Sequence, residues 1–265
     1  METILNQEER KQYNRVAIKL KESEDRELLN EHIVSLSKCV VNIDKNKSVN
    51  LENSKAKVVV ILDYSASMRM LYNNGTVQRT LNKLVPIGLT FDDNGEIEVY
   101  LFNQGYRKFD NMNISNYKQY KYQVIDKAYW SMGMTAYAPV LRAVLEDTGK
   151  IKKAGLFKNK TKCIDDGDDV FVIFITDGET NSADRNETNK VIRLSSQTNT
   201  YIQFIGIGDT EFGYLETLDT IGGRKIDNTG FSSMKSLEKA SDEELYNTIL
   251  SGFAEWIKQR KETTV

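Results

Sequence analysis

Val58-Val59-Val60-Ile61-Leu62-Asp63-Tyr64-Ser65-Ala66-Ser67-Met68 is the stretch that decides the fold. Five consecutive apolar residues, most of them β-branched, have the length and composition of a strand buried on both faces. The run stops at an acid, and three oxygen-bearing side chains then alternate over five positions, Asp63, Ser65 and Ser67. A second run, Val170–Ile175, stops in the same way at Thr176-Asp177-Gly178, and a third covers Tyr201–Ile207. Strands of this kind need helices on both faces, and the segments between them supply helical spacing. Val77, Leu81, Leu84 and Gly88 share a face, with Pro86 expected to kink the helix, and Pro139 opens another carrying Leu141, Val144 and Leu145. The predicted class is α/β, with a mostly parallel central sheet.

Smaller elements complete the pattern. The Asp92-Asp93-Asn94-Gly95 turn leads into Glu96–Phe102, and Asn103-Gln104-Gly105 then reads as a hairpin into a short antiparallel edge strand, Tyr106–Phe109. Helices are expected near 182–198 and 241–258, and a small strand near Arg224–Ile226. The first 37 or so residues read as helix, with Tyr13, Val16, Ala17 and Leu20 on one face and Leu29, Ile33 and Leu36 on another. Residues 42–57 are polar and turn-rich and read as a linker or surface excursion. The division expected is a helical extension and linker over 1–54, a main domain over 55–258, and a tail over 259–265. With about 55 residues ahead of the main domain, a second domain is not expected there.

Composition excludes several chemistries. Of 265 residues, one is His and two are Cys, so a site built on paired imidazoles or on a CxxC thiol pair is absent. The net charge of -2 gives no global attraction to nucleic acid or to an anionic membrane. The beginning, METILNQEERKQ, lacks an apolar targeting core, and the longest apolar runs fall far short of the ~20 residues that span a bilayer. A cytoplasmic location is expected.

In open α/β sheets, ligands sit beyond the carboxyl ends of the strands. Asp63, Ser65 and Ser67 follow one such end, Asp177 follows another, and Thr135 in Gly133-Met134-Thr135 precedes the helix opened by Pro139. Two carboxylates and three hydroxyls, with no nitrogen or sulfur among them, suit a hard divalent cation, Mg2+ or else Mn2+ or Ca2+. Neutral hydroxyl ligands leave such an ion electrophilic and open to a carboxylate from outside.

These residues, in this order and on these elements, resemble the von Willebrand factor A (vWA) domain and its metal-ion-dependent adhesion site, written DxSxS…T…D. The resemblance covers about residues 55 to 257 and fills all five positions: Asp63, Ser65, Ser67, Thr135 and Asp177. It implies a Rossmann-like sheet with one antiparallel edge strand. It also implies direct metal contacts from Ser65, Ser67 and Thr135, with Asp63 and Asp177 acting largely through water. Within the superfamily the chain is most similar to the bacterial TerF-like group, tied to tellurite resistance and general stress response. The carriers are LENSKAKVVVILDYSASM (51–68), FDDNGEIEVYLF (91–102), IQFIGIG (202–208) and SDEELYNTILSGFAEWIK (241–258).

The function expected is a non-enzymatic, metal-dependent module that binds an acidic residue of a protein partner. The loops Tyr64–Arg69, Met132–Tyr137 and Gly178–Asn181 would form the rim, with Met68, Met134 and Tyr137 as apolar contacts. A Mg2+-dependent phosphatase using Asp63 as nucleophile is the alternative. Haloacid-dehalogenase-type phosphatases resemble DxDx(T/V), however, and their general-acid position holds Ser65 here. A third reading is a structural module stabilised by the metal.

Other features read as structural. Asp165, Asp166, Asp168 and Asp169 around Gly167 lack the spacing of a Ca2+ loop and read as a solvated acidic turn. The lysines of 150–162 read as a surface loop, and the glycines of Gly206-Ile207-Gly208 lack the third member of a dinucleotide fingerprint. His32 reads as packing or surface. The Tyr-rich stretch 117–129 fits either a partner surface or a half-buried loop.

Overall fold

The computed structural model describes residues 5–154, 160–164 and 167–263. In chain order the regular elements are α1 (Gln7–Ala17), α2 (Ser23–Lys47), β1 (Lys57–Asp63), α3 (Arg69–Asn73), α4 (Thr76–Phe91), β2 (Ile97–Phe102) and β3 (Tyr106–Lys108). There follow α5 (Ala138–Asp147), β4 (Ile151–Ala154), β5 (Lys160–Cys163), β6 (Val170–Thr176), α6 (Arg185–Ser195), β7 (Thr200–Ile207), α7 (Gly213–Asp219), β8 (Thr229–Met234) and α8 (Asp242–Thr263).

Six strands form one sheet in the order β3-β2-β1-β6-β7-β8. Every pairing is parallel except β2 with β3, the hairpin expected at Asn103–Gly105. β1 and β6, with neighbours on both sides, are buried almost along their whole length, which is why their sequences carry no polar alternation. Alternate residues instead divide between two cores. Val58, Val60, Leu62, Phe171, Ile173 and Ile175 face the layer that holds α4 and α8. Val59, Ile61, Val170, Val172 and Phe174 face α5, α6 and α7.

The N-terminal helices belong to the first of these cores. Val16, Leu20, Leu29, Ile33, Leu36 and Val40 are buried in the same cluster as Leu250, Phe253 and Trp256 of α8. Asn6 and Glu9 form a capping box that starts α1, each bonding the other's backbone. The linker expected at 42–57 begins later than its composition implied. α2 runs to Lys47 because Ile43 continues its apolar stripe and is 4% exposed, and it stops where Ser48 turns left-handed at φ 54°. Asp44 then accepts bonds from the Leu51 and Glu52 amides and folds the following turn back on the helix.

Three further expectations shift. The strand foreseen near Arg224–Ile226 lies at Thr229–Met234. Arg224 instead pins a turn, bonding the carbonyls of Ile221 and Asp219. The connection over 149–169 contains the antiparallel ribbon β4–β5, while Gly155–Asn159 and the acids Asp165 and Asp166 lie outside the described residues. α8 continues five residues beyond 258, to Thr263. α4 passes through Pro86 without ending.

Candidate metal centre

β1 and β6 are neighbours, and their register sets Leu62 beside Ile175. The next residue of each, Asp63 and Thr176, therefore emerges side by side at the carboxyl edge of the sheet. Asp63 is fully buried there. Its Oδ2 accepts the Thr176 hydroxyl at 2.6 Å and its Oδ1 accepts the Ser65 amide at 2.7 Å. The chain continues through hydroxyls: Ser65 Oγ lies 3.0 Å from Ser67 Oγ, and Ser67 Oγ donates to Asp177 Oδ1 at 2.8 Å. Four of the five residues singled out in the sequence thus form one hydrogen-bonded array.

Thr135 reaches the array through its backbone. Gly133 pairs with Ser65 as a short parallel bridge, accepting the Ala66 amide at 3.2 Å and donating to Tyr64 O at 3.3 Å. A Cβ at 133 would stand 2.0 Å from Gln104 Oε1, which itself accepts the Met134 amide, so a larger residue there must displace the Gln104 amide. The Thr135 carbonyl accepts both the amide and the Nδ2 of Asn181. Its hydroxyl has no hydrogen bond among the described residues.

The turn that follows Asp177 is itself clamped to the Thr135 loop by a residue that sequence reading passed over. One oxygen of Asp184, Oδ2, accepts four bonds: the amides of Tyr137 and Ala138 at 2.7 and 3.2 Å, and the hydroxyls of Thr180 and Thr188 at 2.6 and 2.7 Å. It caps the start of α5, where Tyr137 offers no side-chain cap of its own. Thr176 was also missed as a partner of Asp63, although two strands ending in register at Leu62 and Ile175 place it there.

The electrostatics of the site are unusual. Neither Asp63 nor Asp177 makes an ion pair with a lysine, arginine or histidine among the described residues. Burial pushes the Asp63 carboxyl up to about 6, against the Thr176 and Ser65 bonds and with the Asp177 charge adding to the effect. Asp177 is raised as well, by burial first, with Ser67 opposing. No group of three or more His, Cys, Asp or Glu side chains placed to hold a metal occurs among the described residues. The donor set is therefore two carboxylates and hydroxyls, all hard oxygen, around uncompensated negative charge. That combination fits a divalent cation such as Mg2+.

The rim differs from expectation. Met68 and Tyr137 are completely buried and offer nothing to a partner; Tyr137 donates its hydroxyl to Gly178 O beneath the surface. Met134 is 70% exposed. The part of the acidic turn that is described lies at the amino end of β6, away from the site. There Asp169 pairs with Arg260 and the Asp168 carbonyl accepts Lys150 Nζ. His32 lies 2.5 Å from Asp242 at the junction of α2 and α8, in a packing role.

Comparison with known proteins settles the family. A family model described as the vWA domain found in the TerF C terminus matches residues 55–265, and the chain belongs to that vWA-TerF-like family. A relative in Bacillus subtilis (strain 168), the uncharacterized protein YcbR, is 30% identical over 232 residues, or 86% of this chain and 88% of YcbR. Solved structures similar to the chain include proximal thread matrix protein 1 from the mussel byssus with a zinc-occupied MIDAS motif. It is 18% identical with a TM-score of 0.47, over 74% of this chain and 47% of that one. The ArnB paralog VWA2 from Sulfolobus acidocaldarius is 15% identical with a TM-score of 0.46, over 75% and 45%. This chain thus spans less than half the length of either solved chain. No helix among the described residues is long and apolar enough to cross a membrane.

Proposed function

We propose that this TerF-like vWA chain is a cytoplasmic, non-enzymatic binding module. Asp63, Ser65, Ser67, Thr135 and Asp177 would hold a divalent cation, Mg2+ in the cell, with Mn2+ or Ca2+ able to replace it. When bound, the cation supplies an electrophilic position for the carboxylate of an aspartate or glutamate on a protein partner. Family membership supports a setting in bacterial stress response and tellurite resistance.

One observation carries the reading: the buried Asp63 carboxylate is joined through Ser65 and Ser67 to Asp177, with no cationic side chain paired to either acid among the described residues. Ionised carboxylates are retained in such a place at a cost to the fold unless a cation balances them. Each residue has a distinct part. Asp63 and Asp177 supply charge, the serine hydroxyls bridge them, and the Gly133–Ser65 bridge with the Asp184 clamp fixes the loop that carries Thr135. The hydrolase alternative lacks support, since Ser65 occupies the place of a general acid and the sole histidine pairs with Asp242.

Titration calorimetry with MgCl2 tests the metal: saturable uptake by the full chain, lost in Asp63→Ala, is the expected result. Absence of uptake by the wild-type chain refutes the reading. Turnover of p-nitrophenyl phosphate that disappears in Asp63→Asn would replace it with the enzyme.

A further inference from the structure

Seven large apolar side chains stand exposed among the described residues, and five of them lie between β1 and α5, the stretch of chain that carries Asp63, Ser65, Ser67 and Thr135. Met70 lies in α3 just past the end of β1, and Met134 adjoins Thr135. Tyr106 pairs with Phe102 at the carboxyl end of β2. The Tyr122 hydroxyl lies beside Gly75 at the start of α4, and Tyr129 precedes Trp130. Only Ile18 and Leu28 lie elsewhere, on the N-terminal helices.

Tyr129 is the most informative of the five. Its ring is 96% exposed, and its backbone sits at φ 47°, ψ 46°, the left-handed region where glycine or asparagine is the ordinary choice. An aromatic residue there meets backbone strain and leaves a large apolar surface in water, so local stability does not account for it. Next to it Trp130 stacks on Tyr64, the neighbour of Asp63, with ring centroids 5.5 Å apart and planes 4° from parallel. Arg107 covers Trp130 at 6.0 Å and donates to the Ala128 carbonyl at 2.6 Å. Tyr72 braces Tyr64 edge-on at 5.0 Å. The result is a braced aromatic shelf, Tyr72–Tyr64–Trp130, beside the metal centre, with Tyr129 standing in solvent as its sequence neighbour.

Charge is distributed unevenly about that centre. On the shelf side stand Arg107 and the exposed Arg69 and Lys127, none in an ion pair among the described residues, while the one acid whose charge reaches Tyr64, Asp126, is paired with Lys121. On the β7 side stand Glu179, already bonded to Arg185 and the Tyr214 amide, Asp209, 4.0 Å from Lys235, and the exposed Glu211. An acidic ligand is attracted to the first flank, where the cations outnumber the acids, and not to the second, where two of the three acids already have cation partners.

We infer that the partner is an acidic extended peptide segment with an aromatic or large aliphatic side chain within two residues of its metal-binding Asp or Glu, and that this side chain packs on the Tyr129–Trp130 shelf. The inference rests on the metal-dependent reading above and adds the direction and composition of the ligand. Aromatic contact on a rigid platform gives the shelf its selectivity, while the arginines and the lysine favour further acids along the segment.

The test uses three fluorescein-labelled Gly/Ser nonapeptides with the full chain, followed by fluorescence anisotropy in Mg2+ and in EDTA. One carries Asp with Phe two residues on, one Asp with Ala there, and one Asn with Phe. The Asp/Phe peptide is expected to bind roughly tenfold more tightly than Asp/Ala in Mg2+. Binding should vanish in EDTA and for the Asn peptide. Tyr129→Gly suits the left-handed backbone and leaves Mg2+ uptake unchanged, and it should reduce Asp/Phe affinity to that of Asp/Ala. Equal, Mg2+-dependent binding of the Phe and Ala peptides would overturn the shelf and leave the metal reading standing. A Phe preference that survives Tyr129→Gly would also overturn it. Failure of every Asp peptide to bind in Mg2+ would overturn both.

Discussion

Two carboxylates, the fully buried Asp63 and the partly exposed Asp242, are treated in opposite ways. Asp242 opens α8, where His32 Nδ1 approaches one of its oxygens at 2.5 Å and Lys83 Nζ the other at 3.0 Å. Burial alone would raise that acid, but His32 and Lys83 outweigh it and hold the carboxyl below its usual range. Asp63 has only a hydroxyl and an amide for company, and burial pushes it up to about 6. The first arrangement joins three helices, α2, α4 and α8. The second has no cationic partner among the described residues. Compensation goes with a structural acid here, and in the function proposed above its absence goes with a binding one.

The sharpest way to break this contrast is Asp63→Asn. Mg2+ affinity should fall about 100-fold or more by calorimetry. In EDTA at pH 7 the same variant should resist urea better, by up to roughly 3 kcal/mol, from a two-unit displacement at about 1.36 kcal/mol per unit. A variant that loses the metal and gains stability separates the cost of the site from its use.

The pH dependence follows with opposite signs for the two acids. The folded value of Asp63 lies above its unfolded value of 3.8, so its contribution is complete below 3.8 and is lost as pH rises through about 6. The metal-free protein should therefore weaken between pH 4 and 6.5 in urea titrations, and Asp63→Asn should reduce that decline, leaving the part that comes from the raised Asp177. Asp242 is displaced the other way. Its contribution is present above 3.8 and disappears as pH falls through the folded value. Asp242→Ala should accordingly lower stability at pH 7 by about 1–3 kcal/mol, leaving His32 and Lys83 without their carboxylate, while Mg2+ uptake stays unchanged. Thr135→Ala is the mildest change. It removes one neutral donor, and a three- to tenfold weaker Mg2+ titration, on the order of 1 kcal/mol, is expected with no change in unfolding.

Much of this contrast could be read from the chain. β1, β6 and β7 announce themselves as continuous apolar runs, and the four site residues of the hydrogen-bonded array follow directly from where two of those runs stop. β8 escaped notice because Thr229–Met234 is an edge strand, half in water, with one glycine and two serines in place of an apolar run. Asp184 was hidden for a different reason. Its four bonds join two loops, and the 46 residues between Ala138 and Asp184 give no local signal of their meeting. Met68 and Tyr137 look like rim residues in sequence, since apolar side chains beside a site could face either way. Only the layering of helices on the sheet decides that both point inward. Ile43 was readable: it continues the Ile33–Leu36–Val40 spacing, and polar neighbours obscured it.

The packing of α2 against α8 has a consequence for how the protein is made. His32 meets Asp242, Cys39 meets Asn247 and Lys47 meets Glu255, contacts that span 208–210 positions of chain. A ribosome adding about 5–20 residues per second takes roughly 10–40 s to bridge that gap. Throughout that interval α2 carries an apolar stripe whose final partner has not yet been synthesised. The family match begins at residue 55, but a fragment cut there would expose the surfaces of α4 and α8 that α2 covers. The unit that folds is longer than the unit that is recognised, and it closes only when its last helix leaves the exit tunnel.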